Sequence, residues 1–128
     1  MAKTRKNRSF DKDVTIAFFE MLLMVKLFHW NTHSFATHKA TDELYTSLNT
    51  HMDKFIEVHL GATGSRINMS GQKTVNLWDL KSPTKLKAKI EAFTQYLTRL
   101  PIDGTDLQNI RDEILGDLNQ FSYLLTLS

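Results

Sequence analysis

Residues 14–30 read VTIAFFEMLLMVKLFHW, an apolar run whose only charged members are Glu20 and Lys26. A half-buried strand would alternate apolar and polar residues, and this run does not. Ile16, Phe18, Phe19, Met21, Leu22, Leu23, Met24, Val25, Leu27 and Phe28 instead cover almost the whole circumference of a helix, predicted from about Asp11 to His33. A single bundle needs one apolar face per helix, so the surplus has two readings. The second face is buried against another subunit, or this helix is central to its own bundle. Glu20 and Lys26 keep the run below the roughly 18 uncharged residues of a membrane span. The basic start lacks the short apolar core and small-residue cleavage site of a secretory leader. The expectation is an intracellular protein with no membrane segment.

The flanking sequence is helical as well. A second helix is expected from about Thr37 to Leu60, with Leu44, Tyr45, Leu48, Met52, Phe55 and Ile56 as its core stripe and Gly61 or Gly64 as its stop. Residues 61–82 form a long connection whose apolar cluster Val75, Leu77, Trp78 and Leu80 could make a short helical turn. Ser82-Pro83 has the form of an N-cap and first helical residue. It opens a third helix carrying Leu86, Ile90, Phe93 and Leu97 and ended by Pro101. Thr105 and Gln108 have capping-box spacing ahead of a fourth helix with Leu107, Ile110, Ile114, Leu118, Phe121 and Leu125 inward. No segment alternates as a strand does. The fold class expected is all-α, a four-helix bundle over residues 11–128 behind a basic arm at residues 1–10. Short links make helices one and two, and three and four, antiparallel hairpins. The middle link, at about 3.3 Å per residue, is long enough to run the length of a helix of about 36 Å. That permits a crossover between parallel helices two and three, the ferritin-like arrangement, although an up-down bundle with a loose loop also satisfies the lengths.

A chain of 128 residues is expected to hold one core and no second catalytic module. With no Cys there are no disulfides, thiolate zinc sites, iron–sulfur clusters or cysteine nucleophiles, so His, Asp and Glu are the available metal ligands. The net charge of +2 is unevenly spread: Lys3, Arg5, Lys6 and Arg8 stand together without an acid, as do Lys81, Lys85, Lys87 and Lys89.

The second helix carries an ordered polar stripe. From His38, at 100° per residue, Asp42, Asp53 and Glu57 fall at about 40°, 60° and 100°, beside an apolar stripe centred near 290°. Eleven residues at 1.5 Å rise separate Asp42 from Asp53 by about 16 Å, whereas metal–oxygen bonds are about 2 Å. One chain cannot bring both pairs to one ion. Two copies of the helix, antiparallel across a two-fold axis, would set His38 and Asp42 of one opposite Asp53 and Glu57 of the other, twice per dimer. The plainer alternative is a solvated polar face. The like-charged pair Asp53 and Glu57, four residues apart, mildly disfavours an isolated helix and hints at a cation there.

The run Lys26-Leu27-Phe28-His29-Trp30-Asn31, followed by Phe35, His38, Asp42, Leu44-Tyr45, Asp53, Glu57 and Leu60-Gly61, resembles the signature of the Dps miniferritins, the DNA-binding ferritin-like proteins of starved cells. The likeness is close over residues 11–61 and looser at Asp103-Gly104-Thr105 and the C-terminal tail, and it marks a shortened variant. It implies a four-helix subunit, a dodecameric hollow shell of about 178 kDa, and ferroxidase sites shared between two-fold mates. It makes His29 and His38 nitrogen ligands and Asp42 an added ligand or supporting acid. Asp53 and Glu57 become the partner's carboxylates. The metal it implies is iron, although zinc or manganese would suit the same donors. Hydrogen peroxide or oxygen would be the oxidant, and Trp30 either packs or accepts an oxidising equivalent. In such proteins a Lys-rich terminus contacts DNA phosphates, which assigns that role to Lys3, Arg5, Lys6 and Arg8, with the lysines of residues 81–89 as a weaker patch. The implied setting is cytoplasmic or nucleoid-associated. A ferritin-fold structural or DNA-packaging protein without oxidation is the second expectation, and a plain helical adaptor the third.

Overall fold

The computed structural model describes residues 5–127, with backbone alone for residues 5–8. Four helices, α1 (Arg5–Asn31), α2 (Phe35–Thr63), α3 (Pro83–Thr98) and α4 (Thr105–Leu125), account for all its regular structure, and no strand occurs among the described residues. The protein is an all-α four-helix bundle. Two helices start earlier than periodicity implied, α1 at Arg5 rather than Asp11 and α2 at Phe35 rather than Thr37. In α2 the reason is a cap: the Ser34 hydroxyl accepts from Thr37 N at 3.1 Å. The helix ends at Gly64, whose left-handed backbone (φ 68°) lets its N–H reach Leu60 O at 2.8 Å, while Gly61 stays helical.

The α3 start is as expected, with Ser82 capping Lys85 N at 3.2 Å and Pro83 in the first turn. The α4 start is not. Gly104 occupies the cap position without a side-chain bond, Thr105 is already helical, and Gln108 turns its amide away to donate to Ile102 O at 2.9 Å. A hydroxyl inside the first turn cannot do the work of the cap before it, so no capping box forms. The apolar cluster at residues 75–80 also adopts no helical turn.

The core runs along the bundle axis: Val14, Phe18, Met24 and Val25 of α1, Leu48 and Phe55 of α2, Leu86, Ile90 and Leu97 of α3, and Ile114, Leu118 and Phe121 of α4. Phe18 meets Phe55 and Phe93 edge-on, joining three helices at one level. α2 packs against both α1 and α4, and α3 against α4. The connection after α2 lies against α1, where Glu20 accepts from Asn76 N at 2.8 Å and from Trp78 Nε1 at 3.4 Å, and Lys89 of α3 covers the Trp78 ring at 3.4 Å. The two ends of α3 have different neighbours. Pro83 shares a cavity with Phe28 and with residues 31–34, whereas Tyr96 and Leu100 share one with Phe10 and Asp13. No described helix is long and apolar enough to cross a membrane.

The second face of α1 is only partly covered within one chain. Phe19, Leu23 and Trp30 stand 49%, 42% and 68% exposed, and Phe35 at the start of α2 is 75% exposed.

Candidate functional site

His29 lies in the last turn of α1 and His38 in the first turn of α2, and the tight turn at residues 32–34 folds them together. Thr32 N continues the α1 ladder to Phe28 O at 2.9 Å, and its hydroxyl accepts from Ser34 N at 3.2 Å, so the reversal costs little unpaired backbone. The two imidazoles stack with centroids 3.9 Å apart and planes 16° from parallel. Each is bonded to the other's backbone. His29 Nδ1 donates to His38 O at 2.8 Å and to Thr41 Oγ1 at 3.1 Å, and His38 Nδ1 donates to His29 O at 2.9 Å. A carbonyl oxygen only accepts, so both rings carry a proton on Nδ1, and in the neutral ring Nε2 holds the free lone pair. Neither Nε2 has a partner among the described residues. His29 is only 8% exposed, yet among the described residues no buried side-chain nitrogen or oxygen goes unpartnered, so its Nε2 reaches the surface.

Asp42 follows His38 by one turn, and Asp53 and Glu57 lie further along the unbroken helix; all three are exposed, and their carboxylates have no hydrogen-bond or ion-pair partner among the described residues. The spacing of about 16 Å between Asp42 and Asp53 therefore stands. The chain brings His29 and His38 together with Asp42 on the same side of α2, and leaves Asp53 and Glu57 apart from them. Among the described residues of one chain, no three His, Asp or Glu side chains converge enough to hold an ion. Ring geometry adds a constraint. An ion sits in the plane of the imidazole that binds it at about 2 Å, and planes this close to parallel do not meet at that range. Sharing one ion between both rings requires one of them to turn.

The remaining histidines have other employment. His51 is held between two carboxylates of α4, Asp117 at 2.5 Å on Nδ1 and Glu113 at 3.1 Å on Nε2. His59 Nε2 meets the buried Asp11 of α1 at 2.5 Å beneath the Phe10 ring. His33 is exposed on the turn. Lys26 lies over Tyr45 at 4.1 Å and over Trp30 at 5.9 Å, placing a cation above both rings. Of the basic groups expected to meet nucleic acid, Lys3 and the side chains of Arg5, Lys6 and Arg8 lie outside the described residues. Of the second patch, Lys81 pairs with Asp79 at 2.8 Å and Lys89 with Trp78, leaving Lys85 and Lys87 on the surface.

Sequence reasoning missed Thr41. It is fully buried, accepts from His29 and donates its own proton to Thr37 O at 2.8 Å. The signal was present: Thr37 and Thr41 are hydroxyl residues four apart on the buried side of α2, where apolar residues would otherwise stand.

No curated protein and no solved structure matches the chain. A family model matches residues 29–125, a span that opens at His29 and contains all five candidate ligands together with α2, α3 and α4. Because the match covers well over half of the sequence, the protein belongs to DUF5856, a family of unknown function.

Proposed function

We propose that the protein is a Dps-like miniferritin that binds and oxidises ferrous iron at sites shared between two copies and stores the product in an oligomeric shell. The observation that carries this reading is the reciprocal histidine pair. Metal-binding imidazoles characteristically donate one N–H to a carbonyl or carboxylate and present the other nitrogen to the ion, and both His29 and His38 have that form. Asp42 supplies a third donor nearby. Asp53 and Glu57, exposed and with carboxylates unpaired among the described residues, suit the matching half-site of an antiparallel copy. Two imidazoles with three carboxylates form a donor set appropriate to ferrous iron, which is here the substrate. Peroxide would take one electron from each of two ferrous ions, and its oxygens would leave as water after uptake of two protons. The neighbours of the two ends of α3 support a ferritin-like crossover, since Pro83 lies by the α1–α2 turn and Leu100 by the start of α1. The basic residues Lys3, Arg5, Lys6 and Arg8 are the proposed contact to DNA phosphates.

Complementation between subunits tests the shared site. The variants His29→Ala/His38→Ala and Asp53→Ala/Glu57→Ala should each fail to turn ferrous iron plus peroxide into the absorbing ferric product. Unfolded and refolded together in equal amounts, they should recover about a quarter of wild-type activity, because half the dimers are mixed and each mixed dimer rebuilds one of its two sites. No recovery, with both variants folded, rules out sharing. One observation favours a second reading, a non-catalytic ferritin-fold protein: rings stacked at 3.9 Å also serve as a staple between α1 and α2. That reading expects full oxidation-independent assembly and no difference in iron chemistry between wild type and either variant.

A further inference from the structure

We propose that Thr41 is a positioning residue for His29, fixing its tautomer and ring orientation so that Nε2 is the nitrogen offered outward. The claim rests on the metal-site reading above for its purpose, though not for its geometry. The single Thr41 hydroxyl proton has two backbone acceptors, Thr37 O at 2.8 Å and His38 O at 3.0 Å, and while it serves either of them Oγ1 accepts from His29. His29 Nδ1–H therefore faces two acceptors, Thr41 Oγ1 and His38 O. Moving the proton to Nε2 would point a lone pair at two buried oxygens, and a buried acceptor without a donor is costly. Among the described residues His38 has no such second acceptor, and it is less buried than His29. The pair is thus unequal: Thr41 holds the His29 ring still, and His38 is the ring free to turn when an ion requires their planes to meet.

Nitrogen NMR of the imidazoles in the metal-free full chain reads the tautomer directly. Wild type should show His29 protonated on Nδ1. Thr41→Val, which keeps the shape and removes one of the two acceptors, leaves only the bond to His38 O and should admit a minor population protonated on Nε2, and Thr41→Ser should restore the wild-type pattern. Anaerobic calorimetry with ferrous iron should show about 10-fold weaker binding for Thr41→Val and near-wild-type binding for Thr41→Ser. A role limited to backbone packing would shift melting temperature without moving the tautomer. Wild-type His29 protonated on Nε2, or a Val variant with unchanged tautomer, overturns the proposal. Should the Val variant not fold, Thr41→Ala provides the same comparison. Failure of wild type to bind iron overturns the functional reading alone, since the tautomer series still decides whether Thr41 holds the ring.

Discussion

Tyr96 lies where α3 passes the start of α1, and burial, reinforced by the Asp13 carboxylate, pushes its hydroxyl from 10.0 up to about 12. Between those values the folded chain keeps a proton that the unfolded chain has released. The unfolded state then binds fewer protons, so stability is fully present below pH 10 and falls as pH rises towards 12. Urea melts at pH 9, 10 and 11 should show this loss in wild type and a smaller one in Tyr96→Phe; equal slopes would remove Tyr96 from the account. A second residue-scale expectation concerns Asp11, which is 3% exposed and bonded to His59. Asp11→Ala strands the partner of a buried pair and should cost about 3 kcal/mol, measured as a lower urea midpoint. A change below about 0.5 kcal/mol, the scale of ordinary surface substitutions, would mean the pair is solvated.

At the scale of the element, caps separate what the sequence discloses from what it hides. Ser82-Pro83 could be read directly, because a hydroxyl followed by a fixed φ has one local use. Thr105 and Gln108 had the right spacing and the wrong outcome: the choice between Gly104 and Thr105 as cap depends on how the chain leaves Ile102, which is a tertiary matter. Ser82→Ala should therefore cost about 1 kcal/mol, whereas Thr105→Ala should stay within about 0.5 kcal/mol. Paired thermal melts distinguish them, and a larger loss at Thr105 would restore the capping box. The helices themselves were readable from periodicity, since Leu86, Ile90, Phe93 and Leu97 are all buried as their spacing implied. The path of residues 64–82 was not, because its attachment to Glu20 and Lys89 joins positions more than ten residues to either side of Trp78.

The whole molecule poses the question that the apolar run at residues 14–30 raised first. Its inward side fills the core, and its outward side leaves Phe19, Leu23 and Trp30 exposed along one flank of α1. The candidate site shows the same split between what one chain settles and what it leaves open. His38 and Asp42 were found by spacing and His29 by the resemblance, and a local turn brings the two histidines together, whereas the place of Asp53 and Glu57 depends on a neighbour that periodicity can suggest but not orient. A contiguous exposed apolar surface on a chain of this size is a liability unless something covers it. If a second copy does so, the contact and the proposed metal site should fail together. Leu23→Asp is the informative change, since Leu23 is 42% exposed and makes little contribution to the core of its own chain. The variant should keep helical content and melting behaviour close to those of a lone bundle, yet sediment as a monomer of 14.8 kDa and lose the proposed ferrous oxidation with all five candidate ligands intact. Oxidation that persists in a verified monomer would mean one chain suffices for the chemistry. A Leu23→Asp protein that still assembles would move the contact to another face and remove the geometric basis for pairing the acids of one copy with the histidines of the next.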